Sequence, residues 1–268
     1  MSEVVSPEAL DQYAEALFVA WRDRTTIAPL RENPAIGLPE AYRIQQGFIE
    51  RRLAAGETIV GKKIGVTSKA VQDLLGVNQP DFGQLTSKMP VADGGEMDID
   101  QMIQPKAEAE LAFVLAEDLV GPGITAIDVI NATEYVAPCI EVVDSRINDW
   151  DIKIVDTVAD NASCGMFVVG DARASPLDVD LNLAGTVVRI DGEIVTTGAG
   201  AAVQRGPANA VAWLANTLGA LGLPFRKGEI ILSGSQSILL PVNAGETFEC
   251  TIGGLGTCSV KFVKGGSK

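Results

Sequence analysis

The alternation of apolar and polar positions divides the chain into a helical start and a longer, strand-rich remainder. Apolar residues recur at helical spacing from Leu10 to Trp21, behind Ser6-Pro7-Glu8, which is typical of an N-cap with proline in the first turn. A second helix is predicted from Pro39 to Gly56. Residues 1–56 are therefore predicted to form an N-terminal helical region.

From residue 57 onward, short apolar runs bounded by turn residues predict mostly strands. The predicted strands span residues 59–66, 107–116, 136–144, 165–170, 184–190, 229–233, 246–252 and 257–263. Shorter helices are predicted at 68–75, 125–132 and 207–221, and the tail 264–268 is expected to be disordered. The order of elements lacks the regular βαβ alternation of a Rossmann fold or a TIM barrel. We expect an α+β protein whose β-rich catalytic core, residues 57–264, is one unit.

Three glutamates interrupt strands that otherwise read as buried. Glu108 and Glu110 lie in one predicted strand and share one face, about 7 Å apart, because side chains alternate along a strand. Glu141 lies in another. Buried carboxylates repel one another and lose hydration, and a hard divalent cation relieves both effects. The alternative is that the first two lie on a solvated face and that Glu141 pairs with a lysine.

Lysine and aspartate residues supply further candidates for catalysis. Lys63 is flanked by glycines on its own strand face, which leaves room for a ligand or for close backbone approach, whereas Lys62 faces the other side. A lysine near a cation and away from water can act as an acid or base. The alternative is an exposed pair at a sheet edge. Asp81, in Gln79-Pro80-Asp81-Phe82-Gly83, fits an ordinary turn better than a site.

Polar residues around the two central strands suggest substrate contacts. Asn161 and Ser163 precede an apolar strand, where they could bind a substrate carboxylate or satisfy loop backbone. Arg146 follows the Glu141 strand and could hold a carboxylate bidentately, although a structural salt bridge is the favoured alternative.

Composition excludes several classes of function. With 21 basic against 35 acidic residues the net charge is −14, which disfavours binding to nucleic acid or to anionic membranes. The absence of histidine excludes a Ser-His-Asp centre and any imidazole metal ligand. The N-terminus has no signal-like segment and no apolar run is long enough to span a bilayer, so a cytoplasmic location is expected.

Several runs together resemble a known enzyme family. They are Gly61-Lys62-Lys63-Ile64-Gly65-Val66-Thr67-Ser68, Gly76-Val77-Asn78-Gln79-Pro80-Asp81-Phe82-Gly83, Glu108-Ala109-Glu110, Glu141-Val142-Val143-Asp144-Ser145-Arg146 and the run from Asp156 to Gly165. They resemble the 2-hydroxypenta-2,4-dienoate hydratases of the meta-cleavage pathway of aromatic hydrocarbon catabolism, within the fumarylacetoacetate hydrolase superfamily. 4-Oxalocrotonate decarboxylase is a related enzyme on the same fold. One departure is Arg205, where relatives carry glycine.

The resemblance implies a mixed β-roll of the fumarylacetoacetate hydrolase C-terminal-domain type, preceded by helices. It also implies Mg²⁺ or Mn²⁺ on Glu108, Glu110 and Glu141, and a substrate site lined by Lys63, Asp81 and Ser163. It implies a lyase that hydrates a small 2-hydroxy-dienoate, in a homo-oligomer or in association with a paralogous decarboxylase subunit.

The same resemblance leaves open a decarboxylase or a C–C hydrolase. A decarboxylase for 4-oxalocrotonate must bind a second carboxylate far from the cation. The segment 233–240, which we expect to form that distal wall, contains no Lys or Arg and ends apolar. An uncharged substrate tail is therefore favoured, because burying an unpaired carboxylate is costly, and Arg205 is the one residue that could reverse this.

Overall fold

The structure is a computed structural model that describes residues 5–265, without the side chains of residues 74 and 75. The six α-helices are α1 Pro7–Asp23, α2 Leu38–Ala54, α3 Lys69–Leu75, α4 Ala126–Ala132, α5 Ile154–Ala159 and α6 Pro207–Gly219. The first seven strands are β1 Ile59–Gly65, β2 Asp81–Thr86, β3 Pro90–Val91, β4 Gly95–Asp98, β5 Pro105–Leu115, β6 Thr133–Asp144 and β7 Cys164–Val169. The remaining strands are β8 Gly185–Ile190, β9 Glu193–Ala199, β10 Ile230–Leu232, β11 Leu240–Pro241, β12 Thr247–Ile252 and β13 Gly256–Val263.

The strands form two sheets of mixed direction. The larger has the order β2-β1-β10-β5-β6-β7-β3, with β11 added beside β5, and the smaller has the order β4-β13-β12-β8-β9. β1 runs parallel to β10 and β3 parallel to β7, whereas β5 and β6 form a long antiparallel pair. The predicted α+β class, with helices before a mixed and curled β core, is confirmed.

Three apolar cores hold these layers together in the described part of the chain, and the smallest includes Leu85, Phe167 and Leu232. The larger core lies between the two sheets and α6, and includes Phe113, Leu214 and Phe248. The second core joins α1 and α2 to α5 through Leu17, Phe48 and other fully buried side chains. The N-terminal helices therefore pack on a helix from the middle of the chain, and a domain boundary near residue 56 stays a prediction.

Local signals in the sequence placed most elements correctly. Ser6 caps α1, since its Oγ accepts a hydrogen bond from the Ala9 N–H at 3.2 Å. Asp191 and Gly192, a pair typical of hairpin turns, form the turn between β8 and β9. All four cysteines are free and buried, and Cys250 lies directly opposite Cys258.

One predicted turn is wrong. Asp81 does not lie in a turn but begins β2, because it pairs with Gly65 on β1 and Phe82 is buried. Sheet pairing here overrides the local preference of Pro and Asp for turns.

None of the helices in residues 5–265 is long and apolar enough to cross a membrane. The disorder predicted for the tail concerns mainly residues 266–268, which lie outside the described part of the chain.

Candidate metal centre and active site

The register of the larger sheet brings the three glutamates to one side of it. Glu108 lies directly opposite Glu141 in the β5–β6 pair, and Glu110 follows Glu108 by two residues. Residues opposite each other in an antiparallel pair project to the same side of a sheet. One carboxylate oxygen from each of the three lies within 4.8 Å of the others.

Lys63 and Asp81 project from the same side. Lys63 is paired with Leu232 on β10, which is paired with Ala112 on β5, two residues from Glu110. Gly65 on β1 is in turn paired with Asp81 on β2. Lys63 Nζ lies 3.2 Å from Glu141 Oε1, although two strands separate β1 from β6. The curl of the sheet therefore closes a site around these five side chains.

Gly65 makes room for Asp81. A Cβ atom at Gly65 would overlap Asp81 Oδ1 and would lie 3.6 Å from Lys63 Nζ. Gly61, the other glycine beside Lys63, is instead in close contact with the backbone of Ile230 on β10. Of the two glycines, Gly65 thus admits a functional group and Gly61 admits a neighbouring strand.

Apart from the Lys63 ammonium group, whose Nζ lies 3.2 Å from Glu141 Oε1 without hydrogen-bond geometry, the acidic groups of the site lack most of the partners that buried carboxylates normally have. No hydrogen bond within residues 5–265 reaches Glu110 Oε1, either oxygen of Glu141, or either oxygen of Asp81. Glu110 Oε2 accepts one from the Gly234 N–H at 2.9 Å. These unsatisfied oxygens, grouped on one face, have the number and chemistry of a site for a hard divalent cation.

Burial and mutual repulsion shift the titration of this face. Burial, followed by the charge of Glu141, raises the pKa of Glu108 to about 7. The same two causes, with Glu108 added, raise the pKa of Glu110 well above its usual range. Burial also raises the pKa of Asp81 to about 6, against the opposing effect of Lys63. The metal-free site therefore holds protons that a cation would displace.

Lys63 has the opposite balance. Burial by itself lowers its pKa, but the carboxylates of Glu141 and Asp81 outweigh burial, so the pKa of Lys63 is raised. In the metal-free protein the lysine is therefore an ammonium group, not the neutral base that desolvation alone would produce. Lys62 points to the other side of the sheet, where Nζ contacts Glu229 Oε1 at 2.6 Å.

Arg146 is engaged in the fold. Its side chain is buried, its Nε contacts Asp160 Oδ1 at 2.5 Å, and its Nη1 donates to the Cys164 carbonyl at 2.8 Å. Further donations to the carbonyls of Asp144 and Asp160 occupy four of its five N–H groups. These contacts match the salt-bridge alternative.

Asn161 and Ser163 belong to a turn on the Lys63 side of the sheet. The Asn161 side chain accepts from Gln84 N at 2.7 Å and donates to Gln84 O at 2.9 Å, which fastens the turn to β2. Ser163 Oγ is less engaged, at 3.4 Å from Asp160 Oδ2 and 3.5 Å from Thr157 Oγ1. Residues 161–163 all have left-handed backbone, with φ of 56°, 51° and 53°, a conformation that costs free energy without glycine.

The segment 233–240 does not form a distal wall, so that prediction is wrong. It runs along β5 beside the glutamates, with the Gln236 N–H donating to Ala109 O at 2.9 Å and Leu240 paired with Ala107. Within the described residues, Ser233 Oγ and Gln236 Nε2 are buried there without partners. Arg205 is exposed.

A cavity of about 420 Å³ lies beside Asp81. Its lining comes from α2, α5 and the segment before β2, and is formed by Leu38, Tyr42, Gly76, Val77, Asn78, Gln79, Pro80, Asp81, Ile154 and Val158. Sequence reasoning missed the contribution of α2. Tyr42 stacks on Phe82 with ring centroids 4.7 Å apart, and this apolar face of α2 gave no signal beyond ordinary helical periodicity.

The chain is similar to known proteins over most of its length. The family described as fumarylacetoacetate (FAA) hydrolase C-terminal matches residues 66–263. The chain is 52% identical over 258 residues to a 2-hydroxyhexa-2,4-dienoate hydratase of Comamonas testosteroni, covering 95% of this chain and 98% of that protein. It is 55% identical over 216 residues to a 2-hydroxypent-2,4-dienoate hydratase of Pseudomonas putida, covering 80% of this chain and 97% of that protein.

Among solved structures, the chain resembles 4-oxalocrotonate decarboxylase from Pseudomonas putida G7, complexed with magnesium and adipate. The TM-score is 0.94 at 37% identity, over 97% of this chain and 100% of that one.

Proposed function

This chain belongs to the fumarylacetoacetate hydrolase family, and we propose that it is a metal-dependent hydro-lyase acting on 2-hydroxypenta-2,4-dienoate or a close homologue. The product is the corresponding 4-hydroxy-2-oxo acid. The reaction is a step in the meta-cleavage degradation of aromatic compounds. One observation carries the proposal. Three clustered glutamates, two of them with unsatisfied oxygens, share one face with a buried lysine and a buried aspartate, in a chain whose relatives of similar length are named as such hydratases.

Glu108, Glu110 and Glu141 are the proposed ligands of Mg²⁺ or Mn²⁺. One carboxylate oxygen of each lies within 4.8 Å of the others, so all three could hold one cation. When bound, the cation supplies Lewis-acid polarisation of the substrate's C2 oxygen and balances the carboxylate charge.

Lys63 transfers a proton in the tautomerisation of the dienol to the conjugated 2-oxo-3-enoate. In that step the C2 hydroxyl loses its proton and C5 gains one, which makes C4 electrophilic. In the metal-free protein the neighbouring carboxylates outweigh burial and raise the pKa of Lys63, so its Nζ carries a proton before the cation binds. Its position beside Glu141 holds its Nζ at the edge of the carboxylate group.

Asp81 orients or deprotonates the water that adds at C4, while C3 receives a proton. Its two unpartnered oxygens and its place between Lys63 and the cavity support this role. The alternative is that Asp81 orients Lys63. Ser163 and nearby backbone N–H groups bind the C1 carboxylate, whereas Arg146 and Asn161 hold the turn behind them in place.

A decarboxylase acting on 4-oxalocrotonate is the second candidate, and the similarity to the solved decarboxylase favours it. Incubation of the pure protein with each substrate, with Mg²⁺ or with EDTA, decides between the two by mass spectrometry of the products. We expect the dienoate to gain one water only when Mg²⁺ is present. Loss of CO₂ from 4-oxalocrotonate at a higher kcat/KM than hydration would overturn the assignment.

We further propose that the protein works as a homo-oligomer in the cytoplasm, and association with a paralogous decarboxylase subunit stays a prediction. Support for self-association comes from large apolar side chains that the single chain leaves exposed, among them Leu177 at 76% and Leu183 at 77%. Light scattering on the purified protein tests this, and a mass equal to one chain would contradict it.

A further inference from the structure

A second cavity, of about 320 Å³, concentrates positive charge in a strongly acidic chain. Five of the 21 basic residues line it, against one of the 35 acidic residues, although the net charge is −14. The basic residues are Arg22, Arg24, Arg52, Lys88 and Arg146. A cavity of this size lies within the range of small-molecule sites and exceeds what one water needs.

This cavity lies on the side of the larger sheet away from the glutamates. Glu141 is paired with Phe167 on β7, whereas the next residue, Val142, is paired with Met166, which is part of the cavity wall. Because successive side chains of a strand project to opposite sides of a sheet, Met166 and Glu141 project from opposite sides. The cavity is therefore separate from the site that holds the glutamates and Lys63.

Two buried guanidinium groups in the cavity wall have N–H groups without an acceptor. The side chains of Arg52 and Arg146 are only 3% and 1% exposed. Arg52 donates to Glu57 and Thr86 through Nε and Nη2, and no hydrogen bond within residues 5–265 uses its Nη1. Arg146 uses four of its five N–H groups, which leaves one on Nη2. Buried donors need acceptors, so both groups favour an anion in the cavity.

Exposed basic residues at the mouth of the cavity add charge that no acidic side chain balances. Arg22 and the two buried arginines each have a carboxylate partner. Arg24 and Lys88 are exposed and form an ion pair with no carboxylate of the described residues. Asp144, the acidic residue of the lining, accepts hydrogen bonds from two backbone N–H groups. Two positive charges at the mouth are therefore left without a counter-charge of their own.

We propose that this cavity, which we call the basic cavity, binds a small oxyanion with two negative charges, such as a short dicarboxylate or a phosphate. Two negative charges match the two unpaired cations at the mouth, Arg24 and Lys88. The unused N–H groups of Arg52 and Arg146 supply directional donors deeper in the cavity, and guanidinium groups bind carboxylate and phosphate oxygens in this way. The basic cavity is a binding site in addition to the proposed hydratase site.

The test measures binding of three probes by calorimetry in EDTA at pH 8, so that no cation links a probe to the glutamates. The probes are succinate, inorganic phosphate and monomethyl succinate, which matches succinate but carries one charge. We expect succinate or phosphate to bind about 10-fold more tightly than monomethyl succinate, because the second charge gains a further charge-assisted contact. The tighter of the two identifies the ligand as a dicarboxylate or as a phosphate group.

Two double variants that remove equal charge test the location. Arg24→Gln with Lys88→Gln changes only exposed residues of the basic cavity, and should weaken the tighter probe about 10-fold. Arg43→Gln with Lys227→Gln changes exposed residues outside the lining and is the matched control. The control should weaken binding less than about 2-fold, because 0.15 M salt screens charges beyond about 8 Å.

Four results would overturn the basic cavity. The first is that neither succinate nor phosphate binds, and the second is that monomethyl succinate binds as tightly as both. The third is an equal loss of affinity in the two double variants, which would mean general attraction of anions. The fourth is loss of binding in Lys63→Ala, which would place the probe in the hydratase site.

Discussion

Two buried groups of charged side chains adjoin along β6, where Glu141 is followed by Asp144, and they differ in whether their carboxylates have hydrogen-bond partners. The first, which we call the carboxylate cluster, consists of Glu108, Glu110, Glu141 and Asp81. The second, which we call the arginine anchor, consists of Arg146, Asp144 and Asp160. Both are buried, with only Glu108 partly exposed, and both bring carboxylates out of water.

In the arginine anchor the charges have protein partners. Asp144 accepts from the backbone N–H groups of Ile103 and Gln104, at 3.0 and 2.7 Å. Asp160 accepts from the Arg146 N–H at 3.0 Å as well as from its guanidinium. In the carboxylate cluster five oxygens have no hydrogen-bond partner in the described chain. Both the arginine anchor and the carboxylate cluster therefore bury charge. The carboxylate cluster differs in its missing hydrogen-bond partners, which favour a role in binding over a role in the fold.

The largest effect is expected from neutralising one member of the carboxylate cluster. Glu110→Gln should remove most of the activity, because it removes a ligand charge from the cation site. It should leave the Tm of the metal-free protein equal to or above that of the unchanged protein, since it also removes carboxylate repulsion. Steady-state hydration assays and thermal unfolding in EDTA measure the two effects.

Glu117→Gln, an exposed change just beyond the end of β5, is the matched control and should alter neither quantity. Full turnover by the Glu110→Gln protein in excess EDTA would show that the carboxylate cluster is not a metal site.

The two neighbouring lysines of β1 provide the next test. Lys63→Ala should lower kcat by about 10²–10⁴-fold, the usual contribution of a positioned acid or base. Lys62→Ala should leave kcat nearly unchanged, because Lys62 pairs with Glu229 on the other side of the sheet. Single-turnover rates on both variants measure the difference. A larger loss of kcat in Lys62→Ala than in Lys63→Ala would mean that the reacting groups lie on the Lys62 side of the sheet.

The arginine anchor should respond in stability instead of chemistry. Arg146→Ala leaves the Asp160 carboxylate and three backbone carbonyls without their donor, and breaking a buried pair in this way costs about 3–5 kcal/mol. Urea unfolding of the metal-free protein measures that cost, with the exposed Arg43→Ala as control. If Arg146→Ala unfolds like the unchanged protein but has a sharply raised KM, Arg146 binds the substrate after all.

The sequence predicts the three glutamates of the carboxylate cluster better than it predicts Asp81 or the surrounding residues, for a physical reason. Glu108, Glu110 and Glu141 violate the apolar pattern of buried strands, so periodicity alone exposes them, and the phase of β1 correctly separates Lys63 from Lys62. The role of Gly65 depends on its pairing with Asp81, a contact between strands 16 positions apart that no local pattern contains.

Local sequence patterns do not predict the role of Arg146 or the cavity beside Asp81. Arg146 reads alike as a substrate ligand or a structural cation until its four donations are known. The segment 233–240 was expected at the distal end of the substrate because its composition is uncharged, yet pairing with β5 places it beside the glutamates. The cavity beside Asp81 is lined by α2, α5 and the segment before β2. These three parts of the chain meet only through tertiary packing.

The smallest effect is expected from pH, and it separates the two groups by their need for a cation. The pKa of Glu108 is about 7 in the folded metal-free protein and near 4.5 when unperturbed, so the folded state binds the proton more tightly. Stability of the metal-free protein should therefore fall as the pH rises from about 4.5 to about 7, by on the order of 1 kcal/mol per pKa unit. The pKa of Asp81, raised to about 6, acts in the same direction.

A cation needs the ionised carboxylates, so the gain in Tm on adding Mg²⁺ should be small at pH 5 and larger at pH 8, at about 2–4 °C per kcal/mol. Thermal unfolding in Mg²⁺ and in EDTA across this range measures the gain, and Glu108→Gln should flatten its pH dependence. A gain of equal size at pH 5 and pH 8 would mean that Mg²⁺ binds where no carboxylate of raised pKa has to ionise, and would detach the carboxylate cluster from metal binding.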